Sequence, residues 1–321
     1  MSNTVKLPWK QGHKPLMLAP MQGLTNRALR GLFIEKFRPD VVFTEFIRVR
    51  PGARKNISDN DLREISSSHE DVPLVVQLIG RDIDSLTAAA ETVQELGCSH
   101  LNINLGCPFG RMTGNSAGGA LLREPSCLPQ ILGSLRNSIH GSFSVKVRAG
   151  FEDSTEIYSL LDVFAESGVD YLIIHPRTVK QRYAGGADHR VTEQVVSRSR
   201  IPVIANGDIF TTATGRDVLT RTGAAGLMLG RGAISDPFLF ERLRGNYPAV
   251  SSREQRGLEL REYLQDLLSR YQDLFCGEHQ ILCRMKEVLC QITDPDFSKP
   301  VRNLKKCKRL EPFTDLLAEF A

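Results

Sequence analysis

Short apolar segments alternate with longer polar or amphipathic segments through about the first 240 residues of the chain. Eight of the apolar segments have the length and composition of buried β-strands, namely Leu16–Pro20, Val41–Ile47, Leu74–Gly80, His100–Leu105, Ser144–Arg148, Tyr171–His175, Ile201–Ala205 and Gly226–Leu229. Eight strand–helix units in this length match the dimensions of a (β/α)8 barrel. The alternative, a doubly wound open sheet, fits less well because no Gly-x-Gly-x-x-Gly follows the first strand. We therefore predict an α/β fold, a (β/α)8 TIM barrel.

The connecting segments carry recognisable start and stop signals. Helices are predicted over Asn26–Phe37, Ile83–Leu96 and Ser154–Glu166. Ser154 is the predicted N-cap of the third helix, and Gly97 and Gly168 follow the second and third helices as stop signals. A long loop with one helical turn is predicted over Val49–Asp71, and a glycine-rich loop over Thr113–Ala120.

The pattern changes after Asn246, where helical spacing continues without intervening strands. Helices are predicted over Leu258–Phe275, His279–Ile292 and Phe313–Phe320. Gly245 and Pro248 mark a boundary of the kind found in linkers. We predict a barrel domain over residues 1–245 and a small all-α helical domain over residues 246–321.

Charge and cysteine usage narrow the class of protein. The 321-residue chain has a formal net charge of only +4, so any nucleic-acid surface must be local. We expect no signal peptide and no membrane span, because neither a signal-length apolar core nor a run of about 18 apolar residues occurs. Seven cysteines without zinc-type spacing predict a reducing, cytoplasmic setting and no metal site. Cys276, Cys283 and Cys290 recur at seven-residue intervals, which predicts one side of a helix and buried packing.

Cys107 follows a strand and lies between two residues that end strands, Gly106 and Pro108. Such a fixed turn at a strand end suits a chemically active thiol. The alternative is equally open at this point, since free cysteine is often just a small buried hydrophobic residue.

In a barrel, the carboxyl ends of the strands meet around one site, and polar residues recur at those ends. Read in order, the strand ends carry Pro20, Met21, Gln22, Glu45, Gln77, Asn104, Cys107, Lys146, His175, Arg177, Asn206, Gly207, Asp208, Gly230 and Arg231. Gln77 and Lys146 would be costly inside apolar strands without a partner. Lys146 either pairs with a carboxylate such as Glu45 or faces an electron-rich cofactor, and we favour the cofactor. His175 is either a satisfied core histidine or a site residue, and its place before a loop favours the site.

Glycines at the ends of the seventh and eighth strands add an indication of phosphate binding. Asn206-Gly207-Asp208 and Gly230-Arg231-Gly232 place backbone amides and a guanidinium where barrels often hold a phosphate. Each motif alone is weak, but their occurrence at the two expected strands supports a phosphate site.

With these residues identified, the chain resembles the tRNA-dihydrouridine synthase family. The matching motifs run in the family's order from about residue 16 to residue 240. They are Leu18-Ala19-Pro20-Met21, Thr44-Glu45-Phe46, Val76-Gln77-Leu78-Ile79-Gly80, Asn104-Leu105-Gly106-Cys107-Pro108, Ser144-Val145-Lys146-Val147-Arg148, His175-Pro176-Arg177-Thr178, Ile204-Ala205-Asn206-Gly207-Asp208 and Met228-Leu229-Gly230-Arg231-Gly232. The resemblance implies an FMN-dependent oxidoreductase that reduces the C5=C6 bond of particular tRNA uridines to dihydrouridine. NADPH (or NADH) would recharge the flavin.

The resemblance also implies roles for individual residues. Cys107 would be the proton donor. FMN would be bound by Pro20, Met21, Gln22, Gln77, Lys146, His175, Asn206, Gly207, Asp208, Gly230 and Arg231. Substrate contacts would come from Glu45, Asn104, Arg111, Arg177, Arg284, Lys286, Arg302, Lys305 and Lys306. Two departures affect these contacts: Pro176 stands where the family usually has glycine, and Phe109-Gly110-Arg111-Met112 stands where it usually has a lysine pair.

The segment from Arg284 to Arg309 carries eight basic and three acidic residues, a local net charge of +5. Such a run is usually a solvated helix face, but beside the family resemblance it predicts phosphate contacts along tRNA. No aromatic platform for base stacking is evident, so we expect recognition of RNA shape and backbone. We also expect a monomer.

Two other functions are compatible with parts of the pattern. An FMN barrel enzyme acting on a small dihydropyrimidine or dihydroorotate is one, although the basic helical tail opposes it. A non-catalytic RNA-binding protein on a decayed barrel is the other, although the presence of Cys107, Lys146 and both phosphate motifs opposes it.

Overall fold

The computed structural model describes residues 7–52, 57–65, 71–109 and 117–320. Its strands are β1 (Leu16–Leu18), β2 (Val41–Phe43), β3 (Ile47–Arg48), β4 (Leu74–Ile79), β5 (His100–Leu105), β6 (Ser142–Arg148), β7 (Tyr171–His175), β8 (Val203–Asn206) and β9 (Gly226–Leu229). All of their pairings are parallel. Because β1 pairs with both β2 and β9, and β2 pairs with β4, the sheet closes into a barrel. The predicted (β/α)8 TIM barrel is confirmed.

The second strand of the barrel is interrupted, whereas Val41–Ile47 had been predicted as continuous. β2 and β3 both pair with β4, so they share one position in the barrel. Thr44 keeps the contact across the gap, since its amide donates to the Val75 carbonyl (3.0 Å) and its hydroxyl accepts from the Gln77 amide (3.1 Å). The interruption directs the next residue, Glu45, towards the loop that follows β1.

Helices and helical turns connect the strands. The α-helices are α1 (Arg27–Leu32), α2 (Asp59–Ile65), α3 (Ile83–Glu95), α4 (Leu128–Ser138), α5 (Leu161–Glu166), α6 (His189–Arg198), α7 (Thr212–Thr222), α8 (Arg231–Ser235) and α9 (Leu239–Arg244). A π-helical turn, Phe33–Phe37, extends α1 to the predicted end. Asn26 caps α1 through its side-chain oxygen, which accepts from the amides of Ala28 and Leu29.

Two local predictions were wrong. Ser154 is not a helix cap: a 3₁₀ turn, Glu156–Leu160, precedes α5. The Glu156 carboxylate accepts from the amides of Phe151 (2.7 Å) and Asp153 (2.8 Å). These bonds hold the segment between β6 and the 3₁₀ turn. Residues 118–120, predicted as loop, lie in the 3₁₀ turn Gly118–Arg123, while residues 113–116 lie outside the described part of the chain.

The C-terminal segment is helical, as predicted. It contains α10 (Arg253–Leu274), α11 (Glu278–Leu289), α12 (Ser298–Lys306) and α13 (Leu310–Leu317). α12 was not predicted as a separate helix because it is rich in cations, has Pro300 in its first turn and buries only Val301 and Leu304. None of the helices among the described residues combines the length and apolar character needed to cross a bilayer.

These helices share a hydrophobic core with one side of the barrel. Tyr263 of α10 packs edge-on against Phe33 (6.1 Å between ring centroids) and Phe37 (5.9 Å) of the π-helical turn. Gly245 ends α9 in the left-handed conformation, close to the predicted boundary. The division at residue 245 stays a prediction, because the two parts are joined by this common core.

The predicted burial of the regularly spaced cysteines was wrong. Cys283 is exposed, and so are Cys276 and Cys290 at the two ends of α11. The buried side of α11 consists of Ile281, Leu282, Met285, Val288 and Leu289. The seven-residue spacing of these cysteines therefore marks exposed positions and not the buried side of α11.

Candidate active site

A row of buried amide side chains crosses the barrel interior at mid-height. Gln77 on β4 lies opposite Asn102 on β5, and Asn102 lies opposite Ser144 on β6. Gln77 Nε2 donates to Asn102 Oδ1, and Asn102 Nδ2 donates to Ser144 Oγ, each at 2.8 Å. Asn104 Nδ2 donates to Gln77 Oε1, also at 2.8 Å. The polar groups thus satisfy one another, which removes the cost of burying them.

The same row of amide side chains fixes the turn after β5 that carries the Cys107 thiol. Asn104 Oδ1 accepts from the backbone amides of Gly106 (3.0 Å) and Cys107 (2.9 Å). Gln77 therefore fixes Asn104, and Asn104 fixes the turn. Gln77 itself has no exposed surface, so its direct contact with a cofactor stays a prediction.

Cys107 lies at the carboxyl end of β5 and is buried. It packs with Ile79, Ala117 and Phe46, and its carbonyl accepts from the Gly119 amide at 3.2 Å. Burial raises the pKa of the Cys107 thiol, and the nearby charges of Arg148 and Lys146 offset this only in part. The thiol is therefore protonated at neutral pH.

Gly119 leaves room for this packing. A Cβ added there would lie 2.7 Å from Val179 Cγ2 and 2.8 Å from the Cys107 carbonyl oxygen, closer than real contacts allow. We expect Gly119→Ala to destabilise the fold by about 1–3 kcal/mol through overpacking and to change the alkylation rate of Cys107. Thermal unfolding and thiol titration measure both effects. Gly133→Ala in α4 is the control, because a Cβ there meets nothing within 4 Å, and unaltered alkylation kinetics in Gly119→Ala would contradict the assigned contact.

Lys146 and Arg148 occupy alternate positions on β6, so both side chains lie on the same face of the strand. Arg148 is buried and donates to the carbonyls of Gly106 (3.0 Å) and Thr178 (2.8 Å). No carboxylate in the described part of the chain pairs with Lys146, and burial together with the Arg148 charge lowers its pKa to about 8. The alternative partner, Glu45, instead accepts from the Gly23 amide at 2.8 Å. Lys146 is thus an ammonium with no carboxylate partner among the described residues.

His175 lies opposite Arg148 across the β6–β7 pairing. Burial lowers the pKa of its imidazole well below the ordinary value, and Lys146 and Arg148 lower it further. The Arg177 amide donates to Nδ1 at 3.3 Å, so the neutral ring carries its proton on Nε2. A Cβ on Gly207 would lie 3.3 Å from Nε2, which places this donor beside the loop after β8.

Asp208 follows β8 in a left-handed conformation, and its carboxylate is hydrogen-bonded to two arginines. Its carboxylate accepts from Arg177 Nη1 (3.0 Å), Arg231 Nη2 (2.9 Å) and the Ala187 amide (2.9 Å). Burial raises the pKa of this carboxyl, but the hydrogen bonds and charges outweigh it and the net shift is downward. The carboxylate therefore orients Arg231 and is not itself free to meet a phosphate.

Backbone amides without carbonyl partners occur at this end of the barrel, where the sequence predicts a phosphate site. Outside the strand pairing, no carbonyl in the described part of the chain accepts from the amide of Asp208, nor from those of Arg231 and Gly232 at the start of α8. Asn206 links the two loops, since its Nδ2 donates to the Met228 carbonyl at 2.8 Å. Unpaired amides beside a guanidinium form a concavity suited to a phosphate.

The loop after β1 closes the other side of this concavity. A Cβ on Gly230 would lie 3.6 Å from both Met21 Sδ and Ala19 Cβ. Pro20 and Met21 are partly buried, whereas Gln22 is exposed. Met21 thus lies against the predicted phosphate loop.

Two exposed aromatic rings meet at the barrel mouth, although no aromatic platform had been predicted. The ring centroids of Phe109 and Tyr183 are 6.3 Å apart. The Arg231 guanidinium lies 4.7 Å and that of Arg148 lies 5.3 Å from the Tyr183 centroid. The pair escaped sequence reasoning because its members are far apart in the chain.

Several residues predicted to contact the substrate either support the cluster from within or lie away from it. Arg177 is 3% exposed, and its guanidinium bonds to Asp208 and the Gly185 carbonyl, which favours a supporting role over substrate contact. Lys286 donates to the Cys307 carbonyl at 2.6 Å, at the end of α12. The other predicted substrate residues divide into the exposed cations Arg302, Lys305 and Lys306 on α12, the interface residues Glu45 and Arg284, and Arg111, which lies outside the described residues.

Sequence reasoning missed Arg148 and Asn102 as site residues. Both were detectable, because each is two positions from a predicted residue on the same strand and so shares its face, Arg148 with Lys146 and Asn102 with Asn104.

Comparison with known proteins assigns this arrangement to a family. The family model described as dihydrouridine synthase matches residues 17–291, which include the whole cluster from Met21 to Arg231. The chain belongs to the dihydrouridine synthase family. The resemblance inferred from the strand-end motifs is thereby confirmed.

Curated relatives of this dihydrouridine synthase family member come from several bacteria. A probable tRNA-dihydrouridine synthase of Rickettsia prowazekii is 31% identical over 260 residues, covering 80% of this chain and 78% of the relative. A tRNA-dihydrouridine(16) synthase of Cupriavidus necator is 32% identical over 264 residues (79% and 82%), and one of Haemophilus influenzae is 33% identical over 238 residues (72% and 77%).

Among solved structures, histamine dehydrogenase from Rhizobium sp. 4-9 is similar, with a TM-score of 0.59 over 80% of this chain. The match spans 49% of that chain at 12% sequence identity. At this identity the likeness concerns the barrel fold alone.

Proposed function

We propose that the protein is a tRNA-dihydrouridine synthase that reduces the C5=C6 bond of uridine in tRNA, using FMN recharged by NADPH or NADH. The observation that carries the proposal is that two groups occur together at the mouth of a barrel of this family. One is the protonated Cys107 thiol, and the other is the Lys146 cation, which has no carboxylate partner among the described residues. The names of the relatives support tRNA as the substrate.

The residues present fit FMN. The phosphate would be held by the unpaired amides after β8 and β9 and by Arg231, which Asp208 orients. Lys146 would face the ring as a cation. Burial lowers the pKa of Lys146, and an anionic ligand beside it would raise that pKa again. The Nε2–H of His175 would add a hydrogen bond, Gln77 would hold the Cys107 turn beside the cofactor through Asn104, and Met21 would cover the ring from the β1 side.

The protein's own part in the reaction is to hold the base and deliver a proton. When bound in its reduced form, FMN supplies the hydride that reaches C6 of the uracil. Cys107 Sγ donates the proton that C5 requires, since its raised pKa keeps the thiol protonated. The row from Gln77 through Asn104 keeps the turn, and hence the sulfur, in a fixed place.

The substrate base must leave its RNA fold to reach this mouth, as for other enzymes that act on a base. Lys299, Arg302, Lys305 and Lys306 of α12 are exposed and form no ion pair within the described residues. Free exposed cations on one helix suit contact with RNA phosphates. We further propose that the enzyme acts in the cytoplasm as a monomer.

The α12 cations favour tRNA over a free pyrimidine, and the satisfied Gln77–Asn104–Cys107 row disfavours a decayed barrel. Incubation of the FMN-loaded protein and NADPH with unmodified tRNA, followed by positional mapping of dihydrouridine, tests the proposal. We expect one modified position, with position 16 the first candidate because three relatives are named for it. Reduction of free uridine but not of tRNA would establish the small-molecule alternative, and failure to bind FMN at all would establish the non-catalytic one.

A further inference from the structure

Gly23 forms the tip of the loop between β1 and α1. The loop is a tight turn in which the Met21 carbonyl accepts from the amides of Leu24 and Thr25, each at 3.0 Å. Gly23 has a φ of +84°, a conformation that other residues rarely adopt. Its N–H donates to Glu45 Oε2 at 2.8 Å, and its carbonyl accepts from Arg284 Nη1 at 3.2 Å. The tip is thus held by two charged side chains from outside the loop.

One of these side chains belongs to the C-terminal helices. The atoms nearest to a Cβ on Gly23 would be Arg284 Nη1 (3.3 Å) and Glu287 Oε2 (3.4 Å), both from α11. Glu287 also accepts from Arg284 at 2.9 Å, and the Arg284 guanidinium lies 5.6 Å from the Phe275 ring centroid. Arg284 is therefore directed onto the loop and is only partly exposed to solvent.

Electrostatic attraction between Arg284 and Glu45 adds to the contact of both side chains with the loop. Burial raises the pKa of Glu45 to about 7, while Arg30 and Arg284 favour its ionised form. Asn26, just beyond the loop, donates to the Tyr271 hydroxyl of α10 at 3.2 Å. The C-terminal helices therefore hold both the tip and the far end of the loop, whose near end carries Met21 against Gly230.

We propose that Arg284 is a positioning residue for the cofactor, holding the β1–α1 loop so that Met21 covers the FMN site. This inference rests on the proposed function, since it requires FMN at this mouth. It gives Arg284 a different role from the RNA contact predicted from the sequence. Under this assignment Arg284 contributes to FMN affinity when no RNA is present.

The experiment separates FMN binding from RNA binding in matched variants of the full chain. FMN affinity is measured by fluorescence quenching with flavin-free protein, and tRNA affinity is measured separately at one fixed salt concentration. We expect Arg284→Met to raise the Kd for FMN about tenfold, as for loss of a hydrogen bond to a charged group. Arg302→Met, an exposed cation of α12, should leave the FMN Kd unchanged and weaken tRNA binding.

A second pair of variants covers the case in which Arg284→Met does not fold. Arg284→Lys should recover part of the FMN affinity, because an ammonium can still donate to the Gly23 carbonyl. Gly23→Ala should weaken FMN binding from the other side of the contact, and the two losses should not add in the double variant. Wild-type FMN affinity in Arg284→Met, or in Gly23→Ala if the former is unfolded, would overturn the inference. Failure of the wild-type protein to bind FMN would instead overturn the proposed function.

Discussion

Replacing Cys107 with alanine should lower turnover on tRNA by about 100-fold to 10,000-fold, the range that a positioned general acid contributes. FMN should remain bound, because the thiol forms no part of the predicted phosphate or ring contacts. The Asn104 bonds to the turn use backbone amides and so survive the substitution. Single-turnover reduction of unmodified tRNA, together with the flavin absorption spectrum, measures both quantities.

Cys127→Ala provides the matched control, because that partly exposed cysteine lies outside the cluster, and its turnover should equal that of the wild type. The pH dependence provides a second check. Since burial raises the pKa of Cys107, the acid is protonated throughout the neutral range, and wild-type turnover should fall only in alkaline solution. Unchanged turnover in Cys107→Ala would show that the proton comes from another group.

Replacing Arg177 with methionine should destabilise the protein by about 3 kcal/mol, because the hydrogen bonds of a buried guanidinium to the Asp208 carboxylate and the Gly185 carbonyl are lost together. Arg177 is 3% exposed and bonds to both Asp208 and the Gly185 carbonyl. Asp208 would keep Arg231 but lose its buried partner, so the FMN phosphate should also bind more weakly. Urea unfolding and FMN titration measure the two effects.

Arg190→Met is the control, since Arg190 pairs with Asp188 at the surface and its loss should change stability little. The pH dependence has a definite sign. The lowered pKa of Asp208 means that its pairing stabilises the fold above the unfolded-state pKa and is lost as pH falls through the folded-state value. Wild-type stability should therefore fall more steeply in acid than that of Arg177→Met, and equal slopes would contradict a stabilising pair.

The periodic features of the fold were predictable from the sequence. The strand pattern predicts the barrel, and the rule that strand ends converge predicts that Gln77, Cys107, Lys146 and His175 lie at neighbouring strands of one barrel. These inferences succeed because alternation and loop position act locally. Even the missed Arg148 obeys the same alternation.

Other features depend on contacts between distant residues and could not be predicted. The interruption of the second strand is bridged by bonds between Thr44 and β4, and Arg284 is assigned to RNA in the sequence only because its neighbours there are basic. Its actual partner, Gly23, is 261 positions away. The exposed cysteines of α11 show the same limit, because seven-residue spacing identifies one side of a helix but not which side is buried.

The core common to the barrel and the C-terminal helices bears on how substrate preference can diverge in such a chain. Tyr263 packs on the aromatic side chains that follow α1, and Arg284 and Tyr271 hold the loop that precedes it. A chimaera that exchanged only residues 246–321 between two homologues would therefore have to match the donor's packing at α1. Retargeting to another uridine is accordingly constrained to substitutions on the outward faces of these helices, or to an exchange that also carries residues 20–37.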